Sequence, residues 1–290
     1  MEMRSRFLNK LTNTEVESYL EQNDIIIVPV GTVEMHGGLP LDCETVISEA
    51  IALKMAEACD GLVLPNLPYF YAGATATGRG TTQVSVRQGI DYLGAIARSL
   101  LRQGFKRQIY ISFHGPAHMT CSPMVRDFFD ETGVPILYMD MVMQLQGSAK
   151  DIISMEEAQA NPMAFMEKLD SMFVGAYDML GRLEDVPITS EYFHTEPQTV
   201  AKFNPLFGLA YQSGSVAYCF GDPKDHASTT AIKSEEHRAE MAKVGRELID
   251  KMVANMNMPK VVEDLKQLKE FEEDVMDKYP WIPAAYNTRK

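Results

Sequence analysis

The stretch DIIIVPVGTVEMH, residues 24–36, contains the pattern that decides the fold. Its first half, IIIVPV, is a continuous run of apolar and mostly β-branched residues. Such a run predicts a strand buried on both faces, as strands of parallel sheets usually are. Its second half begins with Gly31 and contains Glu34 and His36, two potential metal ligands. The sequence therefore predicts a buried strand that leads into a loop with metal-binding side chains.

The sequence around this stretch alternates helices and strands. The spacing of apolar residues predicts helices around Glu15–Gln22, over Glu44–Ala58 and over Ile90–Gln103, the last of them ended by a glycine. Shorter buried strands are predicted at Gly61–Pro65 and Gln108–Phe113. Repetition of strand, helix and strand predicts right-handed crossovers between parallel strands. The expected fold is α/β, with a mostly parallel sheet flanked by helices on both faces.

The second half of the chain is less regular. The segment 145–185 is rich in methionine and largely helical in pattern, and we interpret it as an insert or lid on a single domain that spans 1–290. A further strand is predicted over Val216–Phe220. Two charged helices are predicted over Ser234–Met256 and Val261–Asp277.

Composition disfavours several classes of partner. The 290 residues include 27 Lys and Arg against 40 Asp and Glu, a formal net charge of -13. Nucleic acid and anionic membrane surfaces are bound through a surplus of positive charge, so neither is expected. We expect neither a secretory signal nor a membrane span, because the N-terminal residues have no apolar run after their basic positions and no segment approaches about 20 consecutive apolar residues. Its four scattered cysteines are typical of reduced thiols, so we expect a cytoplasmic protein.

Two predicted strand ends carry side chains that could bind a metal ion. Residues two apart in an extended segment point to the same side, so Glu34 and His36 could converge on one cation. Glu44 begins the next predicted helix, and His114 directly follows the strand Gln108–Phe113. Carboxylates and imidazoles together suit zinc or manganese. A Glu-x-His pair is weak on its own, and pairing of Glu34 with an arginine is the simpler alternative.

His194 and Glu196 form a second candidate pair. An imidazole beside a carboxylate could move a proton during hydrolysis, although from spacing alone a surface loop is the simpler explanation. His226 follows a charged turn and His237 lies in a charged helical surface. We interpret both of these histidines as structural.

Several segments, taken in order, resemble the creatininase (creatinine amidohydrolase) family. The loop GTVEMHGGLPLDCET at 31–45 is similar to the family's Gly-Ser-x-Glu-Gln-His-Gly-x-His-Leu-Pro-Leu-x-Thr-Asp. Further family motifs resemble LPNLPYF at 64–70, SFHGPA at 112–117, HTEPQT at 194–199 and Gly221-Asp222-Pro223. The preserved order makes the set far more specific than any single motif.

This resemblance implies a creatininase-like fold and hydrolysis of a C–N bond, in a small cyclic amide, by a metal-bound hydroxide. It also implies one or two zinc or manganese ions per subunit. Carried over by position, the implied metal ligands are Glu34, His36, Glu44, His114 and Glu196. Catalytic roles fall to His194, as a proton shuttle, and to Glu196. The resemblance further implies a homo-oligomer, for which a hexamer is possible.

The chain departs from the family pattern, and two alternatives stay open. Its first loop lacks the family's second histidine and has Glu44 in place of Asp, while Pro116 and Ala117 replace Gly and Asn. Creatinine itself is therefore not the expected substrate. The first alternative is a C–C bond hydrolase that opens a cyclic diketone derived from a sugar or inositol, because hydroxide attack on a carbonyl is common to both reactions. The second is a non-catalytic protein of the same fold that binds a metal or ligand.

Overall fold

A four-stranded sheet lies at the centre of the protein. The structure, a computed structural model, describes residues 3–65, 67–145, 160–189, 196–210, 217–226 and 230–282. The strands within these ranges are β1 (Ile25–Pro29), β2 (Leu62–Val63), β3 (Arg107–Ser112) and β4 (Leu137–Asp140). They are all parallel, in the order β2-β1-β3-β4. The predicted α/β class is confirmed.

Helices connect and cover these strands. The α-helices are α1 (Asn13–Leu20), α2 (Cys43–Cys59), α3 (Val86–Gln103), α4 (His118–Thr132), α5 (Pro162–Met179), α6 (Asn204–Leu209), α7 (Glu235–Met256) and α8 (Met258–Lys278), and residues 141–145 are also helical. Short 3-10 helices occur at Leu8–Lys10, Gly73–Thr77, Gly115–Ala117, Leu183–Asp185, Ala201–Phe203 and Pro223–His226. Among the helices of the described residues, none combines the length and the apolar character that a membrane crossing requires.

Alternate residues of β1 face opposite sides of the sheet. Ile25 and Ile27 pack into a core cluster with α2, α5, α7 and α8. Ile26 and Val28 pack into a second cluster with α1, α3 and α4. All five residues of β1 are buried, because helices cover both faces. This double burial is the reason for the unbroken apolar run in the sequence.

Local sequence sets the ends of two helices. Thr12 caps α1 and Ser85 caps α3, and each forms a capping box with the third helical residue, Glu15 or Gln88. Helix α3 ends at Gly104, whose φ of 107° lies in the left-handed region that favours glycine. The predicted glycine stop of this helix is confirmed.

One strand prediction needs correction, and one strand of the sheet was not predicted. Residues 217–220, the described part of the predicted strand Val216–Phe220, are irregular. The Phe220 amide donates to the carbonyl oxygen of Ala74, at 3.0 Å, and thus bonds to the 3-10 helix Gly73–Thr77 instead of a neighbouring strand. Strand β4 was not predicted, because all four of its residues are only partly buried and form no buried apolar run.

The described part of the Met-rich segment 145–185 includes α5, which belongs to the core. Its residues Met172, Val174 and Tyr177 are fully buried. This is the packing of a core helix, and the interpretation of 145–185 as an insert or lid stays a prediction. Residues 146–159 of the segment lie outside the described residues, and the single-domain organisation stays a prediction.

Candidate metal centre

Three predicted ligands lie at the carboxyl edge of the sheet. β1 pairs with β3, with Pro29 opposite Ile111, so the segments that follow the two strands begin side by side. Glu34 lies in the loop after β1, Glu44 in the first turn of α2, and His114 two residues beyond β3. All three side chains are buried. The topology thus places them where parallel sheets usually bind their ligands.

Four side chains form what we call the ligand cluster: Glu34, His36, Glu44 and His226. Each offers one ligand atom, and these atoms all lie within 4.8 Å of one another. Two buried atoms of this cluster, His36 Nδ1 and His226 Nε2, have no hydrogen-bond partner among the described residues, and a third, Glu34 Oε1, has ion-pair contacts alone, with His114 and His226. A buried polar atom without a partner costs about 1–3 kcal/mol. A cation would satisfy all three atoms at once, so the residues present fit a divalent metal such as zinc or manganese.

Two threonine hydroxyls hold the carboxylates of the cluster. Thr75 Oγ1 donates a short hydrogen bond to Glu34 Oε2. Thr32 Oγ1 donates to Glu44 Oε2 at 2.8 Å. Both threonines are buried. Hydrogen bonds of this kind orient metal ligands. Because Thr75 bonds to Oε2 of Glu34, the other oxygen, Oε1, can face the ligand cluster.

His114 lies against both carboxylates. Its Nδ1 is 3.2 Å from Glu34 Oε1 and contacts Glu44 Oε2 more closely, while its Nε2 lies 3.2 Å from the carbonyl oxygen of Tyr71. Burial alone would lower the pKa of His114, but the charges of Glu44 and Glu34 outweigh it and raise this pKa to about 10. Burial, with the charge of Glu44, raises the pKa of Glu34 to about 8. His114 therefore supplies the positive charge between two buried carboxylates.

His36 and His226 face each other across the cluster. Their ring centroids are 4.7 Å apart and their planes nearly perpendicular, at 88°. His36 also contacts Phe173, at 4.9 Å between centroids, and His226 stacks on Phe220 at 5.8 Å. Burial lowers the pKa of His36 and lowers that of His226 to about 4. Both rings are therefore neutral near pH 7, the form in which imidazole binds metals.

The second candidate pair, His194 and Glu196, does not join this arrangement in the described residues. His194 lies outside them. Glu196 is exposed and is not part of the ligand cluster. Two later residues of that motif hydrogen-bond to Asp225, next to His226: Thr199 donates to its carboxylate and Gln198 to its carbonyl oxygen. The roles assigned to His194 and Glu196, and the ligand role of His114, stay predictions.

The structural interpretation of His226 needs correction, because this residue lies in the ligand cluster. Its Nε2 is 3.8 Å from Glu34 Oε1. The sequence around His226 predicts only a charged turn. Nothing in that local sequence indicates which part of the protein the turn packs against. The only available signal was its position just after Gly221-Asp222-Pro223, one of the segments that resemble family motifs.

Two curated relatives match part of the chain. It is 28% identical over 118 residues to the creatinine amidohydrolase of Pseudomonas putida, which is 38% of this chain and 45% of that protein. It is 30% identical over 115 residues to the 3-dehydro-scyllo-inosose hydrolase of Thermotoga maritima, which is 38% of this chain and 36% of that protein. Each match spans less than half the length of the relative, and both relatives are named as hydrolases.

Solved structures of creatininases share the fold. One described as "Creatininase Mn" has a TM-score of 0.57 at 18% identity, over 87% of this chain and 99% of that chain. A "Zn-Zn type" creatininase mutant has a TM-score of 0.54 at 18% identity, over 88% and 99%. A family profile described as "Creatininase: Creatinine amidohydrolase" matches residues 9–171, more than half of the chain. This protein therefore belongs to the creatininase family.

Proposed function

We propose that this protein is a divalent-metal-dependent hydrolase that opens a small cyclic amide at a C–N bond. The observation that carries the proposal is the convergence of two carboxylates and two histidines in the ligand cluster, where the buried atoms His36 Nδ1 and His226 Nε2 have no hydrogen-bond partner among the described residues. The names of the two relatives support hydrolysis. The manganese and zinc forms of the related structures support either metal, at one or two ions per subunit.

The side chains that would hold the metal are those of the ligand cluster. The family resemblance also implies His114 as a ligand; it would bind in its neutral form, because a bound cation would replace the positive charge that His114 places between Glu34 and Glu44. A divalent cation lowers the pKa of a bound water to about 7 and polarises a carbonyl group. The hydroxyls of Thr32 and Thr75 keep the carboxylates oriented. The rings of Phe173 and Phe220 pack against the two histidines of the cluster and limit their movement.

In the proposed reaction, water adds to the ring carbonyl and the C–N bond breaks. The carbonyl carbon becomes a carboxylate, and the ring nitrogen leaves as an amine after taking up a proton. We propose His194 as the side chain that delivers this proton. Glu196 is the weaker candidate because its side chain is exposed.

A second candidate is hydrolysis of a C–C bond in a cyclic diketone. It is favoured by the 30% identity to a hydrolase named for 3-dehydro-scyllo-inosose, a name that describes a doubly oxidised inositol. Water would add to one carbonyl, the adjacent C–C bond would break, and the departing carbon would be protonated. The products would be a carboxylate and a ketone.

A metal-dependent substrate screen tests both candidates. The purified chain would be stripped of metal, reloaded with Zn²⁺ or Mn²⁺, and assayed for metal content by mass spectrometry. We expect one to two equivalents of metal, and ring opening of at least one compound in a panel of small cyclic amides. Turnover of polyhydroxy cyclic diketones alone would establish the second candidate instead. Absence of both metal and turnover would indicate a non-catalytic binding protein.

We also propose, from the family resemblance, that the protein forms a homo-oligomer in the cytoplasm. Large apolar side chains on the surface of the single chain support an interface, among them Leu209 at 88% exposure and Trp281 at 67%. Sedimentation velocity of the purified protein measures its mass directly. A monomer across micromolar concentrations would contradict this proposal.

A further inference from the structure

A single buried carboxylate holds the turn that carries His226. The Oδ1 atom of Asp225 accepts a hydrogen bond from the Thr199 amide at 2.9 Å. Its Oδ2 atom accepts from Thr199 Oγ1 at 2.6 Å and from the amides of Gly221 and Asp222, each at 3.1 Å. Asp225 is only 4% exposed. Four donors from two separate segments therefore meet at one side chain, directly before His226.

The two segments approach each other as closely as glycine permits. A Cβ atom added at Gly221 would lie 2.3 Å from Thr199 Oγ1, far inside van der Waals contact. The Gly221 amide also donates to that hydroxyl, at 3.0 Å. The Thr199 hydroxyl is thus an acceptor from one segment and a donor to Asp225, and it has little freedom to move.

The same turn is attached to the segment that orients Glu34. The Phe220 amide donates to the carbonyl oxygen of Ala74 at 3.0 Å, and Thr77 Oγ1 donates to the carbonyl oxygen of Phe220 at 2.6 Å. Ala74 and Thr77 belong to the 3-10 helix that includes Thr75, the donor to Glu34. The turn that carries His226 is therefore fixed relative to the 3-10 helix that orients Glu34.

We propose that Asp225 is a positioning residue for the metal centre. Its carboxylate fixes the turn so that His226 Nε2 faces Glu34 Oε1 and can act as a metal ligand. The inference rests on the proposed function, because it takes the ligand cluster to bind a metal. Both oxygens of this carboxylate accept hydrogen bonds. An asparagine side chain has one oxygen and one NH₂ group, so in either orientation its NH₂ group would face at least one of these N–H or O–H donors. Loss of such an outer partner typically lowers metal affinity about 10–100-fold.

The affinity of the full chain for Zn²⁺, measured by competition with a chromophoric chelator, tests this inference. We expect Asp225→Asn to bind Zn²⁺ about 10–100-fold more weakly than the wild type. Thr199→Val, which loses the hydroxyl, should also bind more weakly, whereas Thr199→Ser, which keeps it, should bind like the wild type. Asp91→Asn is the matched control, because Asp91 is exposed and lies outside the ligand cluster.

A double-mutant cycle separates positioning from general destabilisation. In a His226→Ala background, Asp225→Asn should cost little further affinity, because its effect passes through His226. An equal loss in both backgrounds would overturn the inference, and so would wild-type affinity in Asp225→Asn. If circular dichroism shows that Asp225→Asn does not fold, the Zn²⁺ affinities of Thr199→Val and Thr199→Ser test the inference instead. Equal affinities of these two variants would overturn it. A wild-type chain that binds neither Zn²⁺ nor Mn²⁺ would overturn the proposed function itself, and this inference with it.

Discussion

At the scale of single residues, Glu34 and Glu44 explain why the cluster requires a positive partner. Two buried carboxylates near each other repel, and burial further disfavours their charge. In the structure His114 supplies the compensating charge by contact with both. His36 Nδ1 and His226 Nε2 still have no hydrogen-bond partner among the described residues, so these two buried nitrogens are available to a bound cation.

Replacement of His36 tests the ligand cluster directly. We expect His36→Ala to lose most of its bound metal and its turnover, because the substitution removes a ligand atom. His237→Ala is the control, since His237 lies at the start of α7 and its ring pairs with Glu167. Unchanged metal content in His36→Ala, measured by mass spectrometry, would exclude His36 from the site.

The hydroxyl of Thr75 is predicted to contribute to the stability of the metal-free protein. Thr75→Val keeps the shape of the side chain but leaves Glu34 Oε2 without this donor. An unsatisfied buried acceptor costs about 1–3 kcal/mol, so the free energy of unfolding in urea with EDTA should fall by that amount. Thr75→Ser retains the hydroxyl and should lose much less. Equal stability of the valine and serine variants would contradict this account.

At the scale of elements, the crossing of α5 and α7 depends on two glycines far apart in the chain. A Cβ atom at Gly245 would lie 1.8 Å from the carbonyl oxygen of Ser171, and one at Gly175 would lie 2.5 Å from the amide nitrogen of Arg246. Backbone atoms cannot move aside as a flexible side chain does. Glycine therefore permits this close helix packing, although it lowers intrinsic helix stability.

Gly245→Ala should lower the free energy of unfolding by about 1–3 kcal/mol, as overpacking in a core usually does. The higher helix propensity of alanine would offset only part of this loss. Gly208→Ala in α6 is the control, because a Cβ atom there meets no other atom within 4 Å. Chemical denaturation measures the free energy of unfolding of both variants. An unchanged free energy of unfolding in Gly245→Ala would show that α5 and α7 can move apart at little cost.

The capping box of α1 gives a prediction about pH. A hydrogen bond from Arg4, followed by those from the amide and hydroxyl of Thr12, lowers the pKa of Glu15 to about 2, from 4.5. A lowered carboxyl pKa stabilises the folded state above about pH 4.5, and the contribution disappears as the pH falls from 4.5 toward 2. NMR titration of the Glu15 carboxyl should show this low pKa, and Thr12→Ala should raise it. An ordinary pKa in the wild type would contradict the capping box.

At the scale of the whole molecule, the ligand cluster joins segments from both halves of the chain. Glu34 and Glu44 come from the first βα unit, while His226 comes from a turn that packs against the loop around Thr199. A metal bound by these segments would stabilise the folded state, because the unfolded chain cannot present the ligands together.

Removal of the metal should therefore lower the melting temperature. A metal present at 100 times its Kd contributes about 2.7 kcal/mol, which corresponds to a shift of several degrees in a protein of this size. Thermal unfolding would be followed with saturating Zn²⁺ and with EDTA. His36→Ala should show a much smaller difference between the two conditions. A wild-type melting temperature that does not respond to EDTA would argue against the metal centre.

The sequence by itself determined the central elements and part of the site. The buried run in residues 24–36 predicts β1 because the apolar pattern of a strand is local, and capping residues define helix ends for the same reason. Glu34, His36 and Glu44 were recognisable because they lie in one short loop with a family pattern. Only the tertiary structure decided that His226 lies in the ligand cluster. The contact of His226 with Glu34 depends on which surfaces the whole chain buries, and no local periodicity encodes that.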